Sequence, residues 1–172
     1  MSNWAKEEIE EAKKHQLIPG ILESKNYTEA ITRREFAALA VKLYESIDGA
    51  EVKLKTENPF KDTDDEYVLK AYQLNITNGV SENKFAPDSL ITREQMATMM
   101  TRAINRLGIV TTVEVEETFS DDKEISDWAK ESVYFMNEKN IIIGVGNNRF
   151  SAKNTATREQ AIIISNRCFE TL

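Results

Sequence analysis

One four-residue pattern occurs three times in this chain and indicates where three helices begin. It reads Thr-Arg-x-Glu/Gln, at residues 32–35, 92–95 and 157–160. In each copy the Thr oxygen can accept from the backbone N–H three residues later, and the Glu or Gln side chain can accept from the Thr backbone N–H. This capping box predicts helices that start at Thr32, Thr92 and Thr157.

The first helical residue of each copy is an arginine: Arg33, Arg93 or Arg158. A cation is mildly unfavourable there, because the helix dipole places its positive end at the N-terminus. A guanidinium beside unpaired helix N-terminal amides would, however, form a compact receptor for a carboxylate or phosphate. The pattern therefore predicts three anion sites.

The repeat extends well beyond this tetrapeptide. A glycine precedes each Thr by 12 or 13 residues, and sixteen residues before it stands Trp4, Thr63 or Trp128. Copies two and three open on Phe-x-Asp, whereas the chain begins too late for copy one to have this head. Each loop between glycine and Thr holds one aromatic residue. The glycines are Gly20, Gly79 and Gly144. The Phe-x-Asp heads are Phe60-Lys61-Asp62 and Phe119-Ser120-Asp121, and the loop aromatics are Tyr27, Phe85 and Phe150.

The unit thus predicted is a short helix, a glycine turn, an aromatic-bearing loop and a capped long helix. After each cap, apolar residues recur at i, i+3, i+4, i+7 and i+8, which is a core-facing stripe. No copy can bury its stripe alone, so the long helices should pack around a pseudo-threefold axis. We expect an all-α protein in which residues 1–172 form one folding unit, with repeats at 1–48, 57–108 and 118–172. Short alternating runs at 52–54 and 113–115 predict brief extended segments in the two linkers.

Composition limits the classes of function. A formal charge of −7 and a pI near 4.9 disfavour nucleic acid as a partner. No apolar run approaches the length of a membrane span, so membrane insertion is not expected. Residues 1–20 are too charged for a signal peptide, and we therefore expect a piece from which an export signal has been removed. The single cysteine, Cys168, aligns with core positions and is predicted to be buried.

Enzymatic and metal-binding functions are not supported by the residues present. His15 is the only histidine and is predicted to lie on the solvent face of the first helix. The acidic run 62–66 lacks the glycine and the final glutamate of a calcium loop, which favours a solvated turn and helix start. Residues 144–148 lack the third glycine of a dinucleotide loop and are predicted to form a turn. We expect no catalytic residue, cofactor or metal.

Taken together, the motifs resemble the S-layer homology domain, of which three tandem copies are usual. Phe-x-Asp, Trp-Ala, Gly, an aromatic residue and Thr-Arg occur in order in copy three and, without Trp, in copy two. The resemblance covers essentially the whole chain. It implies an all-helical, three-pronged spindle with a central three-helix bundle. It further implies non-covalent binding to a peptidoglycan-linked secondary cell-wall polysaccharide, often pyruvylated, on the bacterial surface.

The resemblance also implies site residues in grooves between neighbouring repeats. The Thr-Arg arginines Arg33, Arg93 and Arg158 would bind carboxylates. The other candidates are Asp62, Asp121, Trp4, Trp128, Gly79 and Gly144. Packing in the core is the favoured role for the two tryptophans, with partial groove exposure as the alternative. The unequal repeats predict that one groove dominates, with its wall from copy three.

Two functions of different class follow from the sequence. The first is an extracellular anchor in the cell wall or S-layer that binds an anionic wall glycan through the arginines. The second is a structural protein–protein interaction module in a surface assembly, with S-layer or other cell-surface proteins as partners. If the fold neutralised each arginine with its own carboxylates, the second would be favoured.

Overall fold

The computed structural model describes residues 1–115 and 117–172, and within them it is helical. Short 3-10 helices at Asn3–Ala5 and Asp122–Glu124 accompany the α-helices. These are α1 (Lys6–Lys14), α2 (Gly20–Glu23), α3 (Arg33–Asp48), α4 (Glu66–Gln73), α5 (Arg93–Arg106), α6 (Asp127–Glu138) and α7 (Arg158–Thr171). The described residues contain only isolated β-bridges, so the runs 52–54 and 113–115 form no strand. The predicted all-α class is confirmed.

The three predicted capping boxes are all present. In each, the Thr side chain accepts from the backbone N–H three residues on, and the Glu35, Gln95 or Gln160 side chain accepts from the Thr backbone N–H. The returning bond measures 2.9 Å to Glu35 and 3.1 Å to each glutamine. The long helices α3, α5 and α7 therefore begin where the tetrapeptide predicts.

Replacing Thr32 by Ala should lower the free energy of unfolding by about 1 kcal/mol, because one N-terminal amide of α3 loses its acceptor. Urea denaturation followed by circular dichroism measures this loss. Thr112→Ala is the matched control, since Thr112 is exposed in the second linker. An unchanged unfolding midpoint in Thr32→Ala would show that the cap contributes no stability.

The helices pack in a cyclic order. The long helices α3, α5 and α7 contact one another, and each short helix packs on the long helix of the preceding repeat: α4 on α3, α6 on α5 and α1 on α7. Phe36, Phe85 and Phe150 are among the largest fully buried side chains of the core. Each prong is thus made from two repeats, which gives a pseudo-threefold arrangement.

The loops close the same ring through the backbone. The N–H of Arg33 donates to the carbonyl of Ser89, that of Arg93 to Asn154, and that of Arg158 to Glu29, each at 2.9 Å. Every long helix is therefore held at its N-terminus by the aromatic-bearing loop of the next repeat in the cycle. The three repeats are thus joined to one another by backbone hydrogen bonds.

The sequence also predicts the surroundings of His15, Cys168, the acidic run 62–66 and residues 144–148. The predicted solvent position of His15 is wrong, because its half-buried ring packs against α7. The ring centres of His15 and Phe169 are 4.5 Å apart, and His15 is hydrogen-bonded to Asn166 at 3.0 Å. Cys168 is fully buried, as predicted, and burial raises the pKa of its thiol. Asp65, within the acidic run, caps α4, and the predicted turn at 144–148 contains the start of a turn in which the N–H of Arg149 donates to the carbonyl of Gly146. Among the described residues, no helix has the length and apolarity required to cross a bilayer.

Candidate functional site

Arg33 lies at the N-terminus of α3 and is held by the aromatic loop of repeat two. Its Nε–H donates to the carbonyl of Phe85 at 2.9 Å, and its guanidinium lies 4.8 Å from the centre of the Phe85 ring. A cation over an aromatic face is attracted by the ring quadrupole. The side chain is therefore fixed by a carbonyl and a ring, neither of which neutralises its charge.

Arg93 repeats this geometry one step around the pseudo-threefold axis. Its Nε–H donates to the carbonyl of Phe150 at 2.9 Å, and its guanidinium lies 4.9 Å from that ring. A further N–H donates to the carbonyl of Ile143 at 2.8 Å. Both arginines thus depend on the neighbouring repeat for their orientation.

The charges of these two arginines are buried, and no carboxylate of the described residues forms an ion pair with either of them. Arg33 is 5% exposed and Arg93 8% exposed, and burial lowers the pKa of each guanidinium, with Asp62 and Asp121 opposing that shift. Among the described residues, the buried side-chain nitrogen and oxygen atoms without a partner are Thr101 Oγ1 and Ser165 Oγ. The remaining guanidinium N–H groups of Arg33 and Arg93 are therefore accessible to a ligand. One anion bound at each arginine would neutralise its charge.

The backbone amides at the helix starts do not contribute to these sites, contrary to the sequence-based prediction. The amides of Arg33 and Arg34 donate to Ser89 and Pro87, and the equivalent amides of α5 and α7 also donate to loop carbonyls. The third amide of each helix donates to the capping Thr. An anion would therefore be bound by guanidinium groups rather than by unpaired helix amides.

Two surface grooves contain these arginines, and equivalent residues line them. Each has its Arg, a Gly-Val pair, a glutamine of a capping box, a second arginine and a tryptophan. The first groove is lined by Arg33, Thr77, Asn78, Gly79, Val80, Gln95, Thr98, Met99, Arg102 and Trp128; the second by Arg93, Ile141, Ile142, Ile143, Gly144, Val145, Gln160, Ile163, Ile164, Arg167 and Trp4. The structure therefore brings Arg33, Gly79 and Trp128 together, and Arg93, Gly144 and Trp4.

The tryptophans form outer walls of these grooves. Trp4 is 60% exposed and Trp128 57% exposed, so the favoured packing role is wrong. The buried residue of each Trp-Ala pair is the alanine, Ala5 or Ala129, which allows the short helix to approach the long one closely. An exposed indole beside a cationic site offers a flat apolar surface on which a sugar ring can stack.

Asp62 and Asp121 lie behind the grooves and fix the aromatic loops. Asp62 accepts from the backbone N–H groups of Phe85 and Ala86 at 2.9 and 2.8 Å. Asp121 accepts from those of Phe150 and Ser151, both at 2.8 Å. Each carboxylate thereby positions the carbonyl and ring that hold the neighbouring arginine.

The glycines of the two grooves are required by close approach. A Cβ atom on Gly79 would lie 2.7 Å from the carbonyl oxygen of Lys84, and one on Gly144 would lie 2.6 Å from that of Arg149. Gly79 also has a φ of +83°, which disfavours other residues. These positions shape the groove floor through the backbone.

Asp62 should stabilise the fold in a pH-dependent way. The N–H of Phe85 is the main cause that holds the pKa of Asp62 below its ordinary value of 3.8. Because the folded pKa is depressed, the stabilisation is present above about pH 3.8 and is lost as the pH falls through the folded pKa. Asp62→Asn should therefore unfold more easily at neutral pH, and this difference should shrink in acid.

Urea denaturation across pH 2.5 to 7 measures this effect, with Asp64→Asn as control because Asp64 is exposed nearby. A difference between wild type and Asp62→Asn that persists unchanged at the acid end would contradict the proposed role of the carboxylate charge.

Arg158 occupies the third equivalent position but is neutralised within the fold. Its guanidinium donates hydrogen bonds from Nε and a terminal nitrogen to the Glu35 carboxylate at 3.0–3.1 Å. It also donates a hydrogen bond to the Glu29 carboxylate at 3.0 Å. Burial alone would lower the pKa of Arg158, but the hydrogen bonds that it donates to Glu35 and Glu29, together with the charges of those carboxylates, outweigh burial and raise the pKa. This arginine is already paired with an anion.

The difference between the three positions originates in a few residues. Glu35 stands where the two open grooves have Gln95 and Gln160, so only the third position has a carboxylate at that point of the capping box. Tyr27 is five residues before its capping Thr, whereas Phe85 and Phe150 are seven before theirs. The cation–π contacts found among the described residues include Arg33 and Arg93 but not Arg158. Thr63 replaces the tryptophan, and its hydroxyl accepts from the N–H of Asp65.

Two positioning residues were missed in the sequence. Glu94 accepts from the backbone N–H and hydroxyl of Ser126, at the start of the helix that carries Trp128. Glu159 accepts from the same groups of Ser2, just before Trp4. The available signal was the acidic residue after each Thr-Arg in copies two and three, where copy one has Arg34.

The fold and its grooves define a helical repeat module with two equivalent cationic, tryptophan-walled clefts. The family model of the S-layer homology domain matches two segments of the chain, residues 59–97 and 118–162. These segments correspond to repeats two and three. The match supports a non-catalytic, cell-surface anchoring module.

Known proteins with similar sequences include large enzymes and a surface protein. The chain is 32% identical over 168 residues, 94% of its length, to "Exoglucanase XynX" of Acetivibrio thermocellus and to "Amylopullulanase" of Thermoanaerobacterium thermosulfurigenes. It is 30% identical over 60% of its length to "Cell surface protein" of Thermoanaerobacter kivui. The chain spans 15%, 9% and 14% of the lengths of these three relatives.

Proposed function

We propose that this chain anchors a larger protein to the bacterial cell wall by binding an acidic, peptidoglycan-linked polysaccharide in the grooves of Arg33 and Arg93. The observation that carries the proposal is a pair of buried guanidinium groups, each in a groove walled by an exposed tryptophan. Within residues 1–115 and 117–172, no carboxylate forms an ion pair with either group. A sugar carboxylate, such as that of a pyruvate ketal, would compensate the charge while the ring stacks on the indole.

All three repeats share this function, although the family match covers segments of the second and third. Repeat one carries Trp4, Arg33 and a complete capping box, and it contributes to both open grooves. Its role is thus to complete sites whose other walls come from repeats two and three. The relatives fit this proposal, since each is far longer than the chain and would be the kind of protein that such a module anchors.

The alternative function, a protein-interaction module, draws support from Arg158 alone. The protein-interaction function is favoured where the fold's own carboxylates neutralise an arginine, and Glu35 and Glu29 neutralise Arg158. Arg33 and Arg93 do not meet the condition. The balance therefore favours glycan binding through two grooves.

Sedimentation with wall sacculi tests the proposal. The purified chain should sediment with sacculi of Acetivibrio thermocellus and remain in solution after the secondary polymer has been stripped from them with acid. Added salt should weaken sedimentation, because partly exposed ion pairs are screened over about 8–10 Å. Equal sedimentation with stripped sacculi would show that the acidic polymer is not the ligand.

A further inference from the structure

We propose that the first groove contains a second subsite for an acidic group, formed by Arg102, which the second groove lacks. This inference rests on the proposed function and specifies its ligand. Arg102 lines the first groove and is partly exposed. No described residue forms an ion pair or a side-chain hydrogen bond with it, whereas its counterpart in the second groove is fully paired.

That counterpart is Arg167, which lies ten residues after its capping Thr, as Arg102 does. Arg167 donates to both carboxylate oxygens of Glu8, at 2.8 and 2.7 Å. Glu8 lies on α1 four residues after Trp4, and the residue four after Trp128 is Ser132. One difference between the repeats, Glu8 against Ser132, therefore decides whether the second arginine of each groove is neutralised.

The position of Arg102 indicates what the subsite would bind. Gln95, Thr98, Met99 and Arg102 lie along one face of α5 and all line the first groove. Gln95 is at the cap, near Arg33, and the seven residues from it to Arg102 correspond to about 10 Å along the helix. The groove thus has a cation towards each end, with Gln95, Thr98 and Met99 between them.

A ligand with one carboxylate would neutralise the charge of Arg33, and Arg102 would remain solvated. A glycan with acidic groups on two neighbouring sugars would place one at each arginine. The first groove should therefore prefer such a di-acidic segment, whereas the second groove should bind mono-acidic and di-acidic sugars about equally.

Nuclear magnetic resonance of the arginine Nε–H groups can test this with two defined probes. Digalacturonate has two carboxylates on adjacent sugars, and galacturonate has one. Digalacturonate should shift the signals of Arg33 and Arg102 together and bind the first groove about 3- to 5-fold more tightly than galacturonate, the range expected for one added, partly exposed ion pair. The signal of Arg167 should not respond.

Two reciprocal variants provide the controls. Ser132→Glu should neutralise Arg102 and remove the preference of the first groove. Glu8→Ser should release Arg167 and give the second groove the same preference. If digalacturonate shifts Arg33 but leaves Arg102 unchanged, or shifts Arg167 equally in the wild type, the second subsite is wrong.

Failure of the proposed function gives a different result. Sacculi that bind the wild-type chain, together with an unresponsive Arg102, would refute only the second subsite. A chain that does not sediment with sacculi and shows no response of Arg33 or Arg93 to either sugar would refute glycan binding, and the subsite with it.

Discussion

Changing both Arg33 and Arg93 to Ala should abolish sedimentation with wall sacculi, whereas Arg158→Ala should leave it nearly unchanged. A charge-assisted contact in a partly buried site contributes roughly 1.5–3 kcal/mol, so each single change should weaken its own groove about 10- to 100-fold. Arg158 is engaged by Glu35 and Glu29 and has little to offer a ligand.

The same variants should affect stability in the opposite order. Arg158→Ala leaves Glu35 buried without its partner, and loss of one member of a buried ion pair costs about 3–5 kcal/mol. Arg33 and Arg93 form no such pair with any described residue, so their removal should destabilise the fold less. Urea denaturation and sedimentation of the same preparations separate the two effects. Strong loss of wall binding in a folded Arg158→Ala protein would contradict the assignment of two open grooves.

Changing Gln95 and Gln160 to Glu should also abolish binding, although both key arginines stay in place. Glutamate preserves the capping box, as Thr32 and Glu35 show, so the helices should form normally. The new carboxylates would occupy the position that Glu35 has relative to Arg158. They would therefore form ion pairs with Arg33 and Arg93 inside the fold and neutralise their charges. Each groove should then lose roughly the 10- to 100-fold that removal of its arginine costs.

Glu35→Gln is the matched control for this variant, since it makes the reverse change at the third position. It should leave wall binding intact, because the first two grooves are untouched. Calorimetric titration with a purified wall fragment compares the three proteins. Wild-type affinity in the Gln95→Glu, Gln160→Glu protein would show that the charge of the arginines does not drive binding.

The helical scaffold was predictable because the signals that specify it are local. Thr32 and Glu35 lie three residues apart, so their capping box can be recognised in a short stretch of sequence. The apolar stripe after each cap is equally local. The exposed positions of Trp4 and Trp128 were not predicted, because an apolar stripe does not show that the adjacent alanine is the residue that packs.

Whether a carboxylate of the fold pairs with each arginine was not predictable from the repeat, because such pairs form between residues that are distant in sequence. Arg158 and Glu35 are separated by 123 positions, and Arg167 and Glu8 by 159. Their meeting requires the cyclic order in which each repeat completes the site of its neighbour. The substitution of Glu by Gln in two copies was visible in the sequence, yet its effect depends on which arginine it faces. The predicted dominance of one groove stays a prediction.

The number of wall-fragment sites per chain, measured by calorimetry with a purified acidic fragment, shows whether two grooves are open. We expect two sites in the wild type, one in Arg33→Ala or Arg93→Ala, and none in the double variant, with two retained in Glu35→Gln. Three sites in the wild type, or undiminished binding in the double variant, would contradict this expectation.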